Sequence, residues 1–228
     1  MNRMMRVGPF EEHLREAIAL NLERAPRYAT LSNGASRSIS RDLVAAERLL
    51  LPVARWFDRR AEPWHEAGIP LLEALFVSME LAPPFGAVPP SSDAGTTRPA
   101  ASPRAIRRRV GRGWRAGAFP GAASALAGEL AELSVAPGRD CMVRHLLESA
   151  HRLATLAPAH VALSLERGLP SPAPFLARLF RMHLWGLPAA ASLDRRARPL
   201  QARGITILAA DLPSIPIECA ARCAPDVR

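Results

Sequence analysis

Two His-x-x-Glu pairs in this chain have the residue types and spacing of metal ligands: His13 with Glu16, and His145 with Glu148. Residues three apart lie on one face of a helix, so each pair would present an imidazole beside a carboxylate. Two such helices brought together would supply a ligand set suited to iron, manganese or zinc. The pattern predicts a metal site at these four residues, with a metal-dependent enzyme as an alternative function. A histidine and a glutamate on the exposed face of an amphipathic helix explain the same spacing.

An Asp-Arg-Arg motif also occurs twice and suggests an anion-binding site. It reads Asp58-Arg59-Arg60 in the first place and Asp194-Arg195-Arg196 in the second. Guanidinium groups bind phosphate and carboxylate in bidentate geometry, so the four arginines would form an anion clamp if they converged. The favoured interpretation is structural. Each aspartate would hold a buried arginine, and its loss would leave an uncompensated charge.

A third candidate site is a basic segment in the middle of the chain. All 30 basic residues are arginine, and the net charge is +9. The segment between Asp93 and Glu129 has no acidic residue, and its arginines include Arg107, Arg108, Arg109, Arg112 and Arg115. These five would contact the phosphates of a nucleic acid or an anionic membrane surface. The favoured interpretation is a solvated tether whose arginines reflect a GC-rich genome.

The remaining reactive residues form no recognisable set. Three cysteines are too few for a disulfide framework and indicate a reducing compartment, and Cys219 and Cys223 lack the two further ligands of a zinc site. The loop over 28–37 is rich in hydroxyl groups, which would suit a ligand or simply cap the next helix. His183 and Trp185 are expected to pack in the core. The sequence contains no glycine-rich phosphate loop, nucleophile elbow or His-Glu-x-x-His helix.

The repeated motifs are parts of a longer repeat. Residues 13–31 and 43–74 align with 145–163 and 179–210, with one four-residue insertion in the second copy. The strongest match is Asp-Arg-Arg-Ala-x-Pro followed by Gly-Ile, which an arginine- and alanine-rich composition does not readily produce twice at one offset. Such self-similarity predicts two homologous halves that face each other across a pseudo-twofold axis, as the subunits of a dimer do.

The elements of each copy follow from apolar periodicity and from the positions of serine, proline and glycine. In the first copy we expect a helix over 10–24 ended by Pro26, a long helix from Ser38 or Ser40 to Ala67, and a strand over 69–77. In the second we expect a helix over 140–156, a helical turn over 161–167, a long helix from Ser171 to Arg203, and a strand over 205–208. Gly68 and Gly204 are expected to stop the long helices. The predicted fold class is mainly α with a minor short-strand component, built as two pseudo-symmetric helix–loop–long helix–Gly–strand units.

These elements divide the chain into five segments that build one compact domain. The segments are the first repeat copy (10–81), a flexible Pro- and Ser-rich linker (82–103), a basic and then apolar helical connector (104–138), the second copy (139–212) and an irregular tail (213–228). No uncharged apolar run is long enough to cross a membrane, and the N-terminus does not resemble a signal peptide. We therefore expect a soluble, cytoplasmic protein.

The residues shared by the two copies are those that cap, kink and stop helices, and no catalytic signature accompanies them. The sequence therefore favours a non-catalytic protein that binds a small ligand or a partner protein at the interface between its copies. It specifies no cofactor. The alternatives are a metal-dependent enzyme and a binder of nucleic acid or anionic membrane. As a partner, nucleic acid or an anionic membrane surface is less favoured than a small ligand or a protein.

Overall fold

The computed structural model describes residues 8–69, 71, 78–81, 102–113, 119–133, 142–203, 205 and 208–211. This part of the chain is mainly helical. Its helices are α1 (Pro9–Leu31), α2 (Arg37–Glu66), α3 (Pro103–Gly113), α4 (Phe119–Glu132), α5 (Met142–Glu166) and α6 (Ala173–Gln201). Two short strands are β1 (Ser78–Leu81) and β2 (Leu208–Asp211). Within these ranges, no helix combines the length and the apolar character needed to cross a membrane.

Helices α1 and α2 form the first of two hairpins. The turn between them is closed by a serine, because the Ser32 hydroxyl donates to the carbonyl oxygen of Tyr28 at 2.7 Å. Gly68 follows α2 with a φ of +74°, the left-handed conformation that glycine adopts without steric cost. The buried residues of α2 recur at helical spacing and include Leu43, Val44, Ala54, Phe57 and Ala61.

Helices α5 and α6 form the second hairpin and show the same local features. The Ser164 hydroxyl donates to the carbonyl oxygen of His160 at 2.7 Å. These two residues align with Ser32 and Tyr28 when the sequence alignment is continued by one residue. The turn after the first helix of each hairpin contains a glycine with positive φ, Gly34 (+84°) after α1 and Gly168 (+69°) after α5. The buried residues of α6 include Leu176, Leu179, Phe180, Leu187 and Leu193.

Both shorter hairpin helices continue through a proline. Helix α1 runs past Pro26, which the sequence predicts to end it, and α5 runs past Pro158 as one helix over the predicted break between 156 and 161, so both predicted helix ends are wrong. A proline inside a helix removes one backbone donor and costs about 3 kcal/mol. Burial of the next turn offsets this cost, since Tyr28 and His160, two residues beyond each proline, are both buried.

The two hairpins meet along their long helices, which run antiparallel. Phe57 of α2 lies edge-on to Phe175 near the start of α6, with ring centroids 5.3 Å apart. Close by, Trp64 Nε1 donates to the carbonyl oxygen of Pro170 at 3.0 Å. An ion pair joins the opposite ends of the same two helices. Aromatic packing and polar contacts therefore both hold the hairpins together.

The connector is helical and packs on the second hairpin. Helix α3 buries Ile106 and Val110, and α4 buries Phe119 and Leu126. Helix α4 lies against α5, while α3 lies against α4 and α6. The basic part of the connector, as far as Gly113, therefore forms a helix whose apolar side is packed and whose arginines Arg107 and Arg108 are exposed.

The strands lie later in the chain than the sequence predicts. Strand β1 pairs antiparallel with β2, with Ser78 opposite Asp211 and Leu81 opposite Leu208. Ile69, the first residue of the first predicted strand, is instead buried directly after α2 in a turn. Most of that predicted strand (72–77), most of the predicted linker (82–101) and the predicted tail (213–228) lie outside the described residues.

Candidate functional site

The two aspartates of the repeated motif bind backbone N–H groups. Asp58 accepts from Phe10 and Glu11 at 3.0 and 2.9 Å, and its partner residues open α1. Asp194 accepts in the same way from the first two residues of α5, at 2.8 and 3.1 Å. Each carboxylate thus caps a helix N-terminus, where unpaired N–H groups and the helix dipole favour an anion. Burial raises the pKa of the Asp58 carboxyl, and the two backbone donors act in the opposite direction.

This geometry corrects the predicted aspartate–arginine pair at Asp58. Its partners are backbone groups, while Arg59 and Arg60 are both exposed on α2. The physical reason is position along the helix. A carboxylate on the inner face of α2 lies beside the start of α1, whereas the next two residues turn toward solvent.

The four arginines of the predicted anion clamp do not share one site. Arg196 forms an ion pair with Asp42 at 2.7 Å. The guanidinium carbon of Arg60 lies 5.4 Å from the centre of the Trp56 ring. Because α2 and α6 run antiparallel, Arg60 and Arg196 lie at opposite ends of the interface. The other two members, Arg59 and Arg195, are exposed.

Arg60 belongs to a small cavity between the hairpins, which we name the Trp56 cleft. Its volume is about 160 Å³, and it is lined by Trp56, Arg60, Trp64, Ser171, Pro174, Phe175 and Arg178. The guanidinium carbon of Arg178 lies 5.2 Å from the Trp56 ring centre. Two cations therefore lie against one indole, and neither forms an ion pair within the described part of the chain. Sequence reasoning did not single out Arg178, because it lies outside the repeated motif.

The two ends of the interface carry different charges at aligned positions. The alignment pairs Arg60 with Arg196, and its continuation by one residue pairs Asp42 with Arg178. At one end, Arg196 and Asp42 form an ion pair, and the hydrogen bond from Arg196 holds the pKa of the Asp42 carboxyl below its usual range. At the other end, both positions are arginine. Among the described residues, the Trp56 cleft is therefore the end of the interface at which neither aligned position is a carboxylate.

Aromatic contacts hold the wall of the Trp56 cleft. The Phe175 ring lies 5.3 Å from Phe57 and 5.8 Å from Trp64, measured between centroids. The Trp64 indole is also held in place by its hydrogen bond to the carbonyl oxygen of Pro170, just before α6. Tilted and edge-on aromatic pairs of this kind add to the stability gained from burial. The cleft is therefore bounded by side chains that the fold itself positions.

The predicted metal ligands do not form one site. His145 Nδ1 lies 3.6 Å from Glu148 Oε2, and the same carboxylate binds Arg144 at 2.7 Å. His13 and Glu16 lie on α1, whereas the hairpins meet along α2 and α6. Across the described ranges, no three His, Cys, Asp or Glu side chains gather closely enough to hold a metal ion. The His-x-x-Glu spacing is thus an arrangement within each helix and does not converge between them.

The core of the second hairpin contains a serine–histidine pair that sequence reasoning missed. The Ser149 hydroxyl lies 3.0 Å from His183 Nε2, and His183 Nδ1 lies 2.8 Å from the carbonyl oxygen of Leu179. A carbonyl only accepts, so Nδ1 carries the proton and Nε2 accepts from serine. This is the arrangement of a nucleophile and its base. Both side chains are at most 4% exposed, however, so a substrate has no access to them.

The first hairpin has a different buried polar pair at the matching place. Asn21 donates to the Glu47 carboxylate at 2.9 Å, and Glu47 aligns with His183. Buried polar groups persist only when they are hydrogen-bonded, so both pairs are parts of the core. The available sequence signal was a polar residue on an apolar helix face in both copies.

Trp185, which was expected in the core, is instead 67% exposed.

The arginines of the connector have different roles. Arg107 and Arg108 are exposed on α3, whereas Arg109 donates to Glu129 of α4 at 2.8 Å. Arg109 therefore joins the two connector helices. The side chain of Arg112 is not among those described, and Arg115, Cys219 and Cys223 lie outside the described residues.

A larger cavity lies on the first hairpin, and we name it the first-hairpin groove. Its volume is about 800 Å³. It is lined by Leu22, Ala25, Pro26 and Ala29 of α1 and by Arg37, Ser40, Arg41, Val44, Ala45, Arg48 and Leu49 of α2. Its floor is apolar, and Leu22 and Leu49 are 48% and 77% exposed. Two large apolar side chains are therefore exposed at this groove.

Comparison with known proteins gives no match to this chain among protein-family models, curated proteins or solved structures. Its function is therefore argued from the residues of the two cavities and from the charges around them.

Proposed function

We propose that this chain is a non-catalytic binding protein whose site, the Trp56 cleft, takes a small organic anion between the two hairpins. The observation that carries the proposal is the approach of Arg60 and Arg178 to one indole, without a carboxylate between them in the described structure. At the other end of the interface, Asp42 supplies the negative charge to Arg196. A bound anion would supply the corresponding charge at the Trp56 cleft.

We also propose that the chain is an internal duplication. The comparison of aligned charges at the two ends of the hairpin interface depends on this part of the proposal. The sequence alignment supports it, and so do two recurring contacts. Asp58 and Asp194 each cap the first helix of a hairpin. Ser32 and Ser164 each close the following turn onto a carbonyl four residues earlier. On this proposal, the copies have kept the contacts within each hairpin and differ in charge where the hairpins meet.

The chemistry of the lining defines the class of ligand. A volume of about 160 Å³ equals roughly five water molecules at their share of liquid volume, which is small beside drug-sized sites. The rings of Trp56, Trp64 and Phe175 offer apolar surface, and Ser171 offers a hydroxyl. Paired guanidinium groups bind carboxylate or phosphate, and the small volume and aromatic lining suit a carboxylate on an apolar body better than a free phosphate. The proposed ligand is therefore a carboxylate with a short apolar or aromatic body.

Calorimetric titration tests the proposal with three probes. Benzoate has both the charge and the ring, benzamide has the ring without the charge, and inorganic phosphate has the charge without the ring. We expect benzoate to bind saturably, benzamide not to bind, and phosphate to bind more weakly than benzoate. Arg178→Gln should weaken benzoate binding about tenfold or more, because it removes one charge-assisted contact.

Arg181→Gln is the matched control, since Arg181 is exposed on the same helix and does not line the cleft. It should leave benzoate binding unchanged. The proposal is overturned if neither anion binds, if benzamide binds as tightly as benzoate, or if the two arginine variants behave alike.

The two alternative functions have less support. A metal-dependent enzyme would need His13, Glu16, His145 and Glu148 to converge, and the described structure keeps the two pairs on separate helices that do not form the interface. A binder of nucleic acid or anionic membrane would use the connector. There the described arginines exposed on α3 are Arg104, Arg107 and Arg108, while Arg109 is engaged by Glu129.

A further inference from the structure

We infer that the first-hairpin groove is the docking site for an amphipathic helix of a partner protein, one whose apolar stripe is flanked by aspartate and glutamate. The groove shares no residue with the Trp56 cleft, so this inference goes beyond the proposed function and does not depend on it. It rests on a difference between the two hairpins in burial and in charge.

The second hairpin differs from the first in burial at the positions that correspond to the groove. Helix α4 lies on α5, and α3 lies on α6. In this hairpin Ala154 of α5 is fully buried and Leu184 of α6 is 8% exposed. The aligned residues of the first hairpin are Leu22, which is 48% exposed, and Arg48, which is also exposed. Helices α3 and α4 pack on the second hairpin, whereas within the described residues neither packs on α1 or α2 to a comparable extent.

The arginines at the edge of the groove specify the charge of the occupant. Arg37, Arg41 and Arg48 lie along α2. The alignment pairs Arg48 with Leu184, and the same offset carried back before residue 43 pairs Arg41 with Ala177 and Arg37 with Ala173. Arg37 and Arg48 form no ion pair with the described residues, and Arg41 reaches only the exposed Asp42 at 3.5 Å. The second hairpin thus has apolar side chains where the first has cations. The complementary surface is apolar in the centre and acidic at its edge.

The spacing of the three arginines fits a helix. From Arg37 to Arg48 the rise along α2 is about 16 Å, or roughly three helical turns. Acidic residues three or four positions apart on a docked helix would meet this row, while leucine-type side chains filled the apolar floor. A second copy of this chain fits less well, because each copy brings a net charge of +9 to a basic surface.

Fluorescence anisotropy with two labelled peptides tests the inference. Both peptides are amphipathic, of about 18 residues or five helical turns, with leucines on one face. In one the stripe is flanked by glutamate, and in the other by lysine. We expect the glutamate peptide to bind saturably, about tenfold or more tightly than the lysine peptide, and to weaken as salt is added.

Charge reversal on the groove separates this site from non-specific attraction. The double variant Arg41→Glu/Arg48→Glu should lose the glutamate peptide and gain the lysine peptide, while benzoate binding at the Trp56 cleft stays unchanged. Arg181→Glu, an exposed reversal on the second hairpin, is the matched control and should alter neither peptide. Circular dichroism confirms that both variants fold.

Several results would overturn the inference. They are equal binding of the two peptides, an unchanged response in the double variant, and no binding of the glutamate peptide. A dimer in sedimentation equilibrium that the double variant dissociates would also overturn it, because the occupant would then be a second copy.

Discussion

Arg178 of α6 lies over the Trp56 ring of α2, with its guanidinium carbon 5.2 Å from the ring centre. The residue aligned with it on α2 is Asp42, which forms an ion pair with Arg196 at the other end of the same interface. One interface between two similar hairpins therefore ends in an ion pair on one side and in two cations on the other. The proposed anion site follows from this difference.

Replacing Arg178 by aspartate, the residue type at the aligned position Asp42, should abolish the anion site of the Trp56 cleft. In Arg178→Asp, the new carboxylate faces Arg60 and takes the place of the anion. We expect benzoate binding to be lost in calorimetry and the free energy of unfolding to rise by no more than about 1 kcal/mol, since the pair is exposed. Arg181→Asp is the control and should retain binding. Wild-type affinity in Arg178→Asp would contradict the assignment.

The two capping aspartates should have similar effects on stability. Asp58→Ala and Asp194→Ala each leave two helix N–H groups without their acceptor, and each should lower the free energy of unfolding by about 1–2 kcal/mol. Asp58→Asn keeps one acceptor oxygen and should cost less. Urea denaturation measures all three variants. Unchanged midpoints in both alanine variants would show that the caps contribute nothing.

Gly8 leaves room for the Asp58 carboxylate. A Cβ at Gly8 would lie 2.3 Å from Asp58 Cγ, so Gly8→Ala should push the cap away and destabilise the protein. Gly128 lies in α4 with open space around it, and Gly128→Ala should instead stabilise by about 0.5–1 kcal/mol. In the Asp58→Gly background, which removes the Asp58 Cβ as well as the carboxylate, Gly8→Ala should cost much less. Equal costs in the two backgrounds would show that the contact with Asp58 is not the cause.

The sequence predicted the long helices well because their signals are local. An apolar stripe and Gly68 predict α2 from Ser38 or Ser40 to Ala67, and the structure places it at Arg37–Glu66, so both serines lie inside the helix and do not cap it. Pro26 led to a wrong predicted helix end. A proline inside a helix costs about 3 kcal/mol, and here the burial of Tyr28 offsets that cost. This burial is a tertiary effect, which the local sequence does not show.

The candidate site was harder to predict, because it depends on which helices meet. The repeated Asp-Arg-Arg motif identified Arg60 but assigned it to a clamp with Arg196, which lies at the opposite end of the interface. Arg178 belongs to no sequence motif, and only its position over the Trp56 ring in the folded structure identifies it as a site residue. Likewise, spacing placed His145 near Glu148 but could not show whether α1 and α5 meet.

Buried His160 of the second hairpin should make stability depend on pH. Burial lowers the pKa of His160 from its ordinary value of 6.5. As the pH falls, the unfolded chain takes up this proton near pH 6.5 and the folded protein only at a lower pH, so stability is full above pH 6.5 and falls as the pH drops toward the folded pKa. Urea midpoints measured between about pH 5 and 8 should show a shallower slope in His160→Gln than in the wild type. Identical slopes would contradict this role.

The location of the anion site can be tested most directly by following the indole N–H signals in a nuclear magnetic resonance titration with benzoate. The chain has four tryptophans, and Trp56→Phe identifies the signal of the residue in the cleft. The account predicts that the Trp56 signal shifts saturably, while that of Trp185, which lies outside the cleft, stays in place. A Trp56 signal that does not move at high benzoate, or a Trp185 signal that moves equally, would contradict an anion site between the hairpins.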